Sequence, residues 1–373
     1  MNPKIYFDHN ATAPVKKPVM DAMICALKLC GNASSMHSSG RNARKLIEQS
    51  RDRVAKLIKT TPEQVIFTSG GTEANNLVID GINRDHCLIS AIEHDSILQT
   101  DKLHQKISVN ESGCVELGTL EKLLRVKDSP NIVSVMLANN ETGVIQPIEE
   151  IVRLSQPFDT FVHTDAIQAC GKVNLDWGIL GVDALSLSAH KIGGPQGVGA
   201  LILNKKFDLD AHFFGGGQER SYRPGTENVP GIVGFGLAAE LAADLDRNKG
   251  IELLRNELEC KILKIAPNAV IHGQQSQRIP NTSCISMPGV LAETQIMKFD
   301  LAGIMVSAGS ACSSGKVQNS HVLRAMGVKE SEASSAIRVS LGYNNTIDEI
   351  DYFVKQWKKI SDVVGSGNLR EVA

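Results

Sequence analysis

The chain has 373 residues, with 39 basic against 41 acidic side chains and a formal net charge of −2. Hydrophobic residues make up 42% and charged residues 21%, a globular mix that excludes a disordered or collagen-like polymer. Without a basic excess, the electrostatic footprint of a dedicated nucleic-acid binder is missing, and no direct nucleic-acid contact is expected.

Apolar runs such as Ile132–Ala138 fall far short of the roughly 20 residues a membrane-crossing helix needs. Residues Met1–Asn10 contain no apolar core of the kind a secretory signal carries, so a cytoplasmic location is expected. The eight cysteines (Cys25, Cys30, Cys87, Cys114, Cys170, Cys260, Cys284 and Cys312) form no Cys-x-x-Cys pair. Zinc-ribbon and thioredoxin-like sites therefore lack their spacing, and burial as a small hydrophobe is the default for each cysteine but the last.

In chain order, the first two thirds alternate short apolar runs with longer helical patterns, which predicts an α/β fold with a parallel sheet. The expected strands are Val65–Thr68, Cys87–Ser90, Ile132–Ala138, Thr160–His163, Ala184–Ser188 and Gly199–Leu203. Helical patterns run over Ala43–Leu57 and Ile148–Leu154. From Gly234 to Ile265 one long helix is expected, with Leu254, Leu258, Ile262 and Ile265 on its buried face. Beyond Pro267 shorter strands (Ala269–His272, Ser283–Met287, Ala336–Ser340) and helices predict a smaller α+β unit. Thr346-Ile-Asp-Glu349 is a capping box that opens a last helix, whose apolar stripe is Ile347, Ile350, Val354 and Trp357.

Two glycine-rich motifs fail on inspection. Gly234-Phe-Gly236-Leu-Ala-Ala239 looks like a dinucleotide fingerprint, yet it follows Pro230 rather than a strand, and close helix packing is the better reading. Gly309–Lys316 has one residue too many between its glycines for a phosphate loop, and Val317 stands where Ser or Thr is required.

Four segments at predicted strand ends carry polar groups that a packed core does not use. Thr68–Asn76 runs from a strand into a helix, where Gly70 and Gly71 let backbone amides approach an anion and Thr72 adds a hydroxyl; a plain capped turn is the alternative. Asp165 follows a buried strand and needs a cation or a metal beside it, for which a structural salt bridge would also serve. Lys191 leaves a strand into a glycine-rich turn beside Ser188 and His190, placed to form a Schiff base with a carbonyl unless it is a surface lysine. Ala138–Gly143 supplies the amide side chains of a turn. Together, an anion cradle, a carboxylate and a reactive amine match the phosphate, ring nitrogen and aldehyde of pyridoxal phosphate.

These residues lie in stretches that resemble the NifS/IscS-type cysteine desulfurases, in the class V aminotransferase branch of fold-type I pyridoxal-phosphate enzymes. The matching stretches are Tyr6–Thr12, Ser69–Asn76, Glu93-His94, Asn139–Gly143, His163–Gln168, His190-Lys191, Arg223–Thr226, Ser307–Cys312 and Ile337–Leu341, nearly the whole length. The resemblance implies a large domain (residues 15–255) with a mostly parallel seven-stranded sheet. A small α+β domain (1–14 with 256–373) would carry the loop of the catalytic cysteine.

It also implies roles. Lys191 would bear the cofactor, Asp165 would pair with the ring nitrogen, Gln168 would meet the ring hydroxyl and His94 would stack on the ring. Gly71, Thr72, Ser188 and His190 would bind the phosphate, with Thr226 reaching in from a second subunit. Asn140 would touch the cofactor and, with Arg338, hold the substrate carboxylate. Cys312 would take the sulfur of L-cysteine as a persulfide, leaving L-alanine, after Lys191 has moved the Cα proton. A homodimer and a sulfur-acceptor protein such as an iron–sulfur scaffold are the implied partners. A selenocysteine lyase or an aminotransferase on the same scaffold is the alternative activity, and an inactive cofactor-binding regulator the non-enzymatic one.

Overall fold

A computed structural model describes residues 4–82, 86–100, 103–126, 132–210, 212–309 and 320–365. Its strands, in chain order, are β1 (Ile5–Tyr6), β2 (Val65–Thr68), β3 (His86–Ser90), β4 (Leu103–Ile107), β5 (Ile132–Ser134), β6 (Phe161–Asp165), β7 (Ala184–Ser188) and β8 (Gly199–Leu203). They continue with β9 (Val270–His272), β10 (Thr282–Ser286), β11 (Ile304–Met305), β12 (Ser307–Ala308) and β13 (Ala336–Ser340). Seven of them form one sheet in the order β2-β8-β7-β6-β5-β3-β4. The β7-β6-β5-β3-β4 pairings are parallel, while β8 runs antiparallel to both of its neighbours. Every residue of β6 and β7 is buried, as expected for strands covered by helices on both faces. The expected α/β fold with a mostly parallel seven-stranded sheet is what the chain adopts.

A second, antiparallel sheet has the order β12-β13-β10-β9. Against it packs an apolar cluster that joins Ile5 and Phe7 to Leu258, Ile262, Ile285, Phe299, Phe353 and Trp357. The Phe299 and Phe353 rings stack at 4.7 Å, and Trp357 is fully buried; each such ring contributes about 2–3 kcal/mol by leaving water. The capping box before the last helix (Ile347–Gly365) forms as expected: Thr346 N donates to Glu349 Oε2 at 3.0 Å and Glu349 N to Thr346 Oγ1 at 3.4 Å.

Several expectations need correction. The long helix of Gly234–Ile265 is two helices, Val229–Ala242 and Asp246–Ile265. Asp244 interrupts it, because its carboxylate accepts from Asp246 N and pairs with Arg247 at the new N-terminus. Ile265, placed on the buried face, is exposed at the frayed end, while Leu258 and Ile262 are buried. Strand Ile132–Ala138 stops at Ser134. The chain continues alongside β6, with Leu137 N on Asp165 O at 2.9 Å, but on its other side Met136 N turns to the Glu93 carboxyl instead of a strand. Of the cysteines expected inside, Cys87, Cys170 and Cys284 are buried and Cys114 is half-buried, whereas Cys25, Cys30 and Cys260 are exposed. Cys25 and Cys260 lie on the outer faces of their helices.

The rejected dinucleotide motif packs as its alternative reading required. A Cβ on Gly236 would lie 2.6 Å from Ser50, so the Val229–Ala242 helix crosses the Ser38–Leu57 helix in near backbone contact. Among the described residues, no helix is long and apolar enough to cross a membrane.

Candidate active site

The C-terminal ends of β2, β3, β6 and β7 open on one cavity of about 330 Å³. Ligands collect at this edge in open α/β sheets because strand ends hand their last side chains to loops at a common level. Ten of the predicted site residues line it: Gly71, Thr72, His94, Asn140, Asp165, Gln168, Ser188, His190, Lys191 and Arg338. Thr226 does not; it sits on an exposed stretch just before the Val229–Ala242 helix. Cys312 falls outside the described residues. The described chain leaves off at Gly309 in the cavity wall and resumes at Ser320, whose hydroxyl donates to Glu141.

The helix Gly71–Gly81 follows β2 and aims its N-terminus at the cavity. A Cβ on Gly71 would lie 2.1 Å from Ile167 Cδ1, so any larger residue there would have to push the Ile167 side chain aside beside the strand end that bears Asp165. Thr72 is exposed beside them. Ser188 closes β7, and a short 3-10 turn, Ala189–Lys191, presents His190 and Lys191 to the same space. Burial first, and the Lys191 amine second, push His190 down to about 4, so at neutral pH it is an uncharged imidazole in contact with Thr12 Oγ1 at 3.3 Å.

Asp165 is gripped on both oxygens. Asn75 Nδ2 donates to Oδ2 at 2.8 Å, and Ile167 N to Oδ1 at 2.9 Å. His94 caps the helix Asp95–Leu98 through its Nδ1, which accepts from Ser96 N at 3.1 Å and so fixes the ring. Just before it, Glu93 is fully buried: desolvation, opposed by hydrogen bonds from Ser90 and Met136 N, raises its carboxyl to about 8. Among the described residues its Oε2 has no partner, which favours the uncharged carboxyl.

Lys191 Nζ donates to the backbone oxygens of Asn10 at 2.6 Å and Ala11 at 2.8 Å. The segment bearing these carbonyls is held by β13: Ser340 N donates to Phe7 O at 2.8 Å, and Asn10 N to Ser340 Oγ at 3.0 Å. Gln168 Nε2 donates to the same Asn10 oxygen at 3.0 Å, while its Oε1 accepts from Lys172 Nζ at 2.9 Å. From the antiparallel sheet comes Arg338, whose Nη2 meets Asp8 at 2.8 Å and Nη1 the Asn140 carbonyl at 3.1 Å. Its Nε is buried and has no partner among the described residues.

Sequence reasoning missed Asn75, Glu93, Lys172 and Asn10. Asn75 gave a signal: an amide in a helix interior, where it disfavours the helix, three residues after Thr72. Lys172 gave none, because nothing in its neighbours distinguishes it from a surface lysine.

The aminotransferase class-V family pattern matches residues 5–353. The chain belongs to that family, whose members depend in general on pyridoxal phosphate. Within it, the chain is 39% identical over 377 residues to the cysteine desulfurase IscS of Dictyoglomus turgidum, covering 96% of this chain and 95% of that one. It is 40% identical over 366 residues to a cysteine desulfurase of Sinorhizobium fredii, covering 93% and 94%. Among solved structures, the NifS-like protein from Rickettsia africae superposes with a TM-score of 0.90 at 40% identity, over 97% of this chain and all of that one.

Proposed function

We propose that this protein is a cysteine desulfurase: it takes the sulfur of L-cysteine onto Cys312 and releases L-alanine, supplying sulfur for iron–sulfur cluster assembly or another thiolation pathway. The observation that carries this reading is the convergence of Lys191, Asp165 and the Gly71–Thr72 helix N-terminus on one cavity.

The donor set fits pyridoxal phosphate. A helix N-terminus stripped of Cβ at Gly71, with Thr72, Ser188 and neutral His190 around it, suits a phosphate. Asp165, anchored by two donors, suits a protonated ring nitrogen, and Gln168 offers an N–H to a ring oxygen. His94, its ring fixed by Ser96, gives the ring a flat wall. When bound, this cofactor supplies an electron sink for the charge left at a substrate Cα.

The chain's own residues do the rest. Lys191 Nζ holds and moves the proton taken from Cα. Asp165 keeps its partner nitrogen charged, and Arg338, with Asn140, positions the substrate carboxylate. The Cys312 thiolate forms an S–S bond to the substrate sulfur as the substrate's C–S bond breaks. A proton replaces sulfur on carbon, so cysteine and thiol become alanine and persulfide in balance.

We further infer a homodimer in which Thr226 serves the partner's cavity, since it is exposed and lies outside the cavity that holds Lys191 in its own chain. A sulfur-acceptor protein such as an iron–sulfur scaffold and a cytoplasmic setting complete the reading. Residues 15–255 act as the cofactor unit, and 1–14 with 256–373 as the smaller one. Support for that division comes from the apolar cluster joining Ile5 and Phe7 to residues between Ile251 and Ile360.

The test is Cys312→Ala. It should bind cofactor with its visible absorbance intact, yet lose at least about a thousandfold in sulfide and alanine release from cysteine with a reductant. Release at the wild-type rate removes the persulfide step.

A further inference from the structure

Two lysine amines stand on one asparagine. Lys191 Nζ binds the Asn10 backbone oxygen at 2.6 Å, and Lys172 Nζ binds Asn10 Oδ1 at 2.9 Å. Lys172 also donates to Gln168 Oε1 at 2.9 Å, and both of these partners are uncharged amide oxygens. Asn10 is itself committed: Asn281 Nδ2 donates to its Oδ1 at 3.0 Å, and its Nδ2 donates to Thr282 Oγ1 at 2.8 Å. It holds both amines in place without neutralising either.

We propose that Lys172 is a positioning residue for Lys191: the two amines share one proton at neutral pH, which leaves Lys191 able to accept another. This rests on the reading of Lys191 as the group that moves the substrate proton. Like charges seated on one uncharged residue oppose each other's ionisation, and the pair titrates as a unit.

Among the described residues, the carboxylates that share a cleft with Lys172 are each turned to an arginine: Asp244 to Arg247, Glu252 to Arg255 and Glu259 to Arg278. Besides Lys191, Lys172 faces Arg338, whose charge is directed to Asp8, and Cys170, a thiol that burial pushes up to about 12 and so keeps neutral. His9 is held at about 4, by burial first and Lys172 second, and is uncharged. Across a cleft of about 90 Å³ lined by both lysines lie Lys16, pushed down to about 8 by burial and then Arg247, and Asp244, whose carboxylate is paired with Arg247 at 2.9 Å. Burial and Lys191 together hold Lys172 well below the ordinary lysine range.

The test is competitive acetylation of the full-length, cofactor-free protein across pH, read by mass spectrometry at the Lys191 peptide. Lys172→Met should raise the Lys191 midpoint by about one pH unit, a tenfold gain in proton affinity. Lys172→Arg, which keeps the charge, should leave it at or below the wild-type value. In the loaded enzyme the acid limb of kcat/KM should move up in parallel for Lys172→Met and not for Lys172→Arg. Asn10→Asp, which sets a carboxylate against the Lys172 amine at nearly the same shape and so offsets its charge, should raise the midpoint as well and covers the case in which Lys172→Met fails to fold. A Lys191 midpoint that stays at or below the wild-type value in Lys172→Met, or in Asn10→Asp, overturns the proposal. Absence of alanine production by the wild type overturns the desulfurase reading instead, and leaves the labelling comparison intact.

Discussion

The two sheets contribute to the cavity in opposite ways. The seven-stranded sheet delivers Asp165, Ser188 and the Lys191 turn directly from its strand ends, each within a few residues of a fully buried strand. The four-stranded sheet delivers Arg338 from the middle of a strand, and the guanidinium reaches its place only through Asp8 and the Asn140 carbonyl. A parallel sheet gathers chemistry at an edge by construction. An antiparallel one has no such edge and must lend a long side chain. The first arrangement makes a site that tolerates change in its neighbours, and the second makes one that depends on them.

Arg338→Met tests that dependence most harshly. It removes the cation for the substrate carboxylate and strands Asp8, so kcat/KM for cysteine should fall about a hundredfold, mostly through KM, with about 2 kcal/mol lost in stability. Steady-state kinetics and thermal melting read both. A variant with unchanged KM would show that Arg338 braces the N-terminal segment and nothing more.

On the parallel-sheet side, Asn75→Ala removes one of two donors from Asp165. The Ile167 amide remains, so cofactor affinity, measured by fluorescence titration, should drop by only about tenfold. A loss as large as that of Arg338→Met would erase the contrast between the sheets.

The smallest effect on the reaction belongs to Glu93→Gln, whose signature is in stability. A carboxyl raised to about 8 in the fold and near 4.5 when unfolded binds its proton more tightly in the native state. The stability this gives is fully present below about 4.5 and is lost as pH rises through 8. The glutamine variant should therefore lose less stability than the wild type between pH 5 and 8.5, by roughly 1–3 kcal/mol in urea melts. Parallel pH profiles would mean that Glu93 is ionised in the fold.

Much of the first region was legible in the order of residues. Buried strands announce themselves as apolar runs, and although a salt bridge or a surface lysine would explain either residue alone, Asp165 and Lys191 stood out together with the anion cradle at Gly71 and Thr72. The edge strand β4, Leu-His-Gln-Lys-Ile, was not legible, because an edge needs no apolar run and takes its identity from β3 beside it. Nor were the two-residue strands β1 and β11, which exist only as each other's partners. The break at Asp244 was hidden by an apolar period that continues across it. Lys172 and Asn10 were invisible as a pair because 162 positions separate them and only the folded chain brings them together.

The earliest stretch of chain lies at the meeting point of the latest ones. Ile5 and Tyr6 pair with Ile304 and Met305, and Asp8 pairs with Ser340, just before the carbonyls on which Lys191 rests. Contacts that close a loop of some three hundred residues are expected late in folding. Assembly of the catalytic centre thus waits for nearly the entire polypeptide, and a nascent or truncated product lacking Arg338 and Ser340 would be a shell with its amine unseated, incapable of releasing sulfur prematurely.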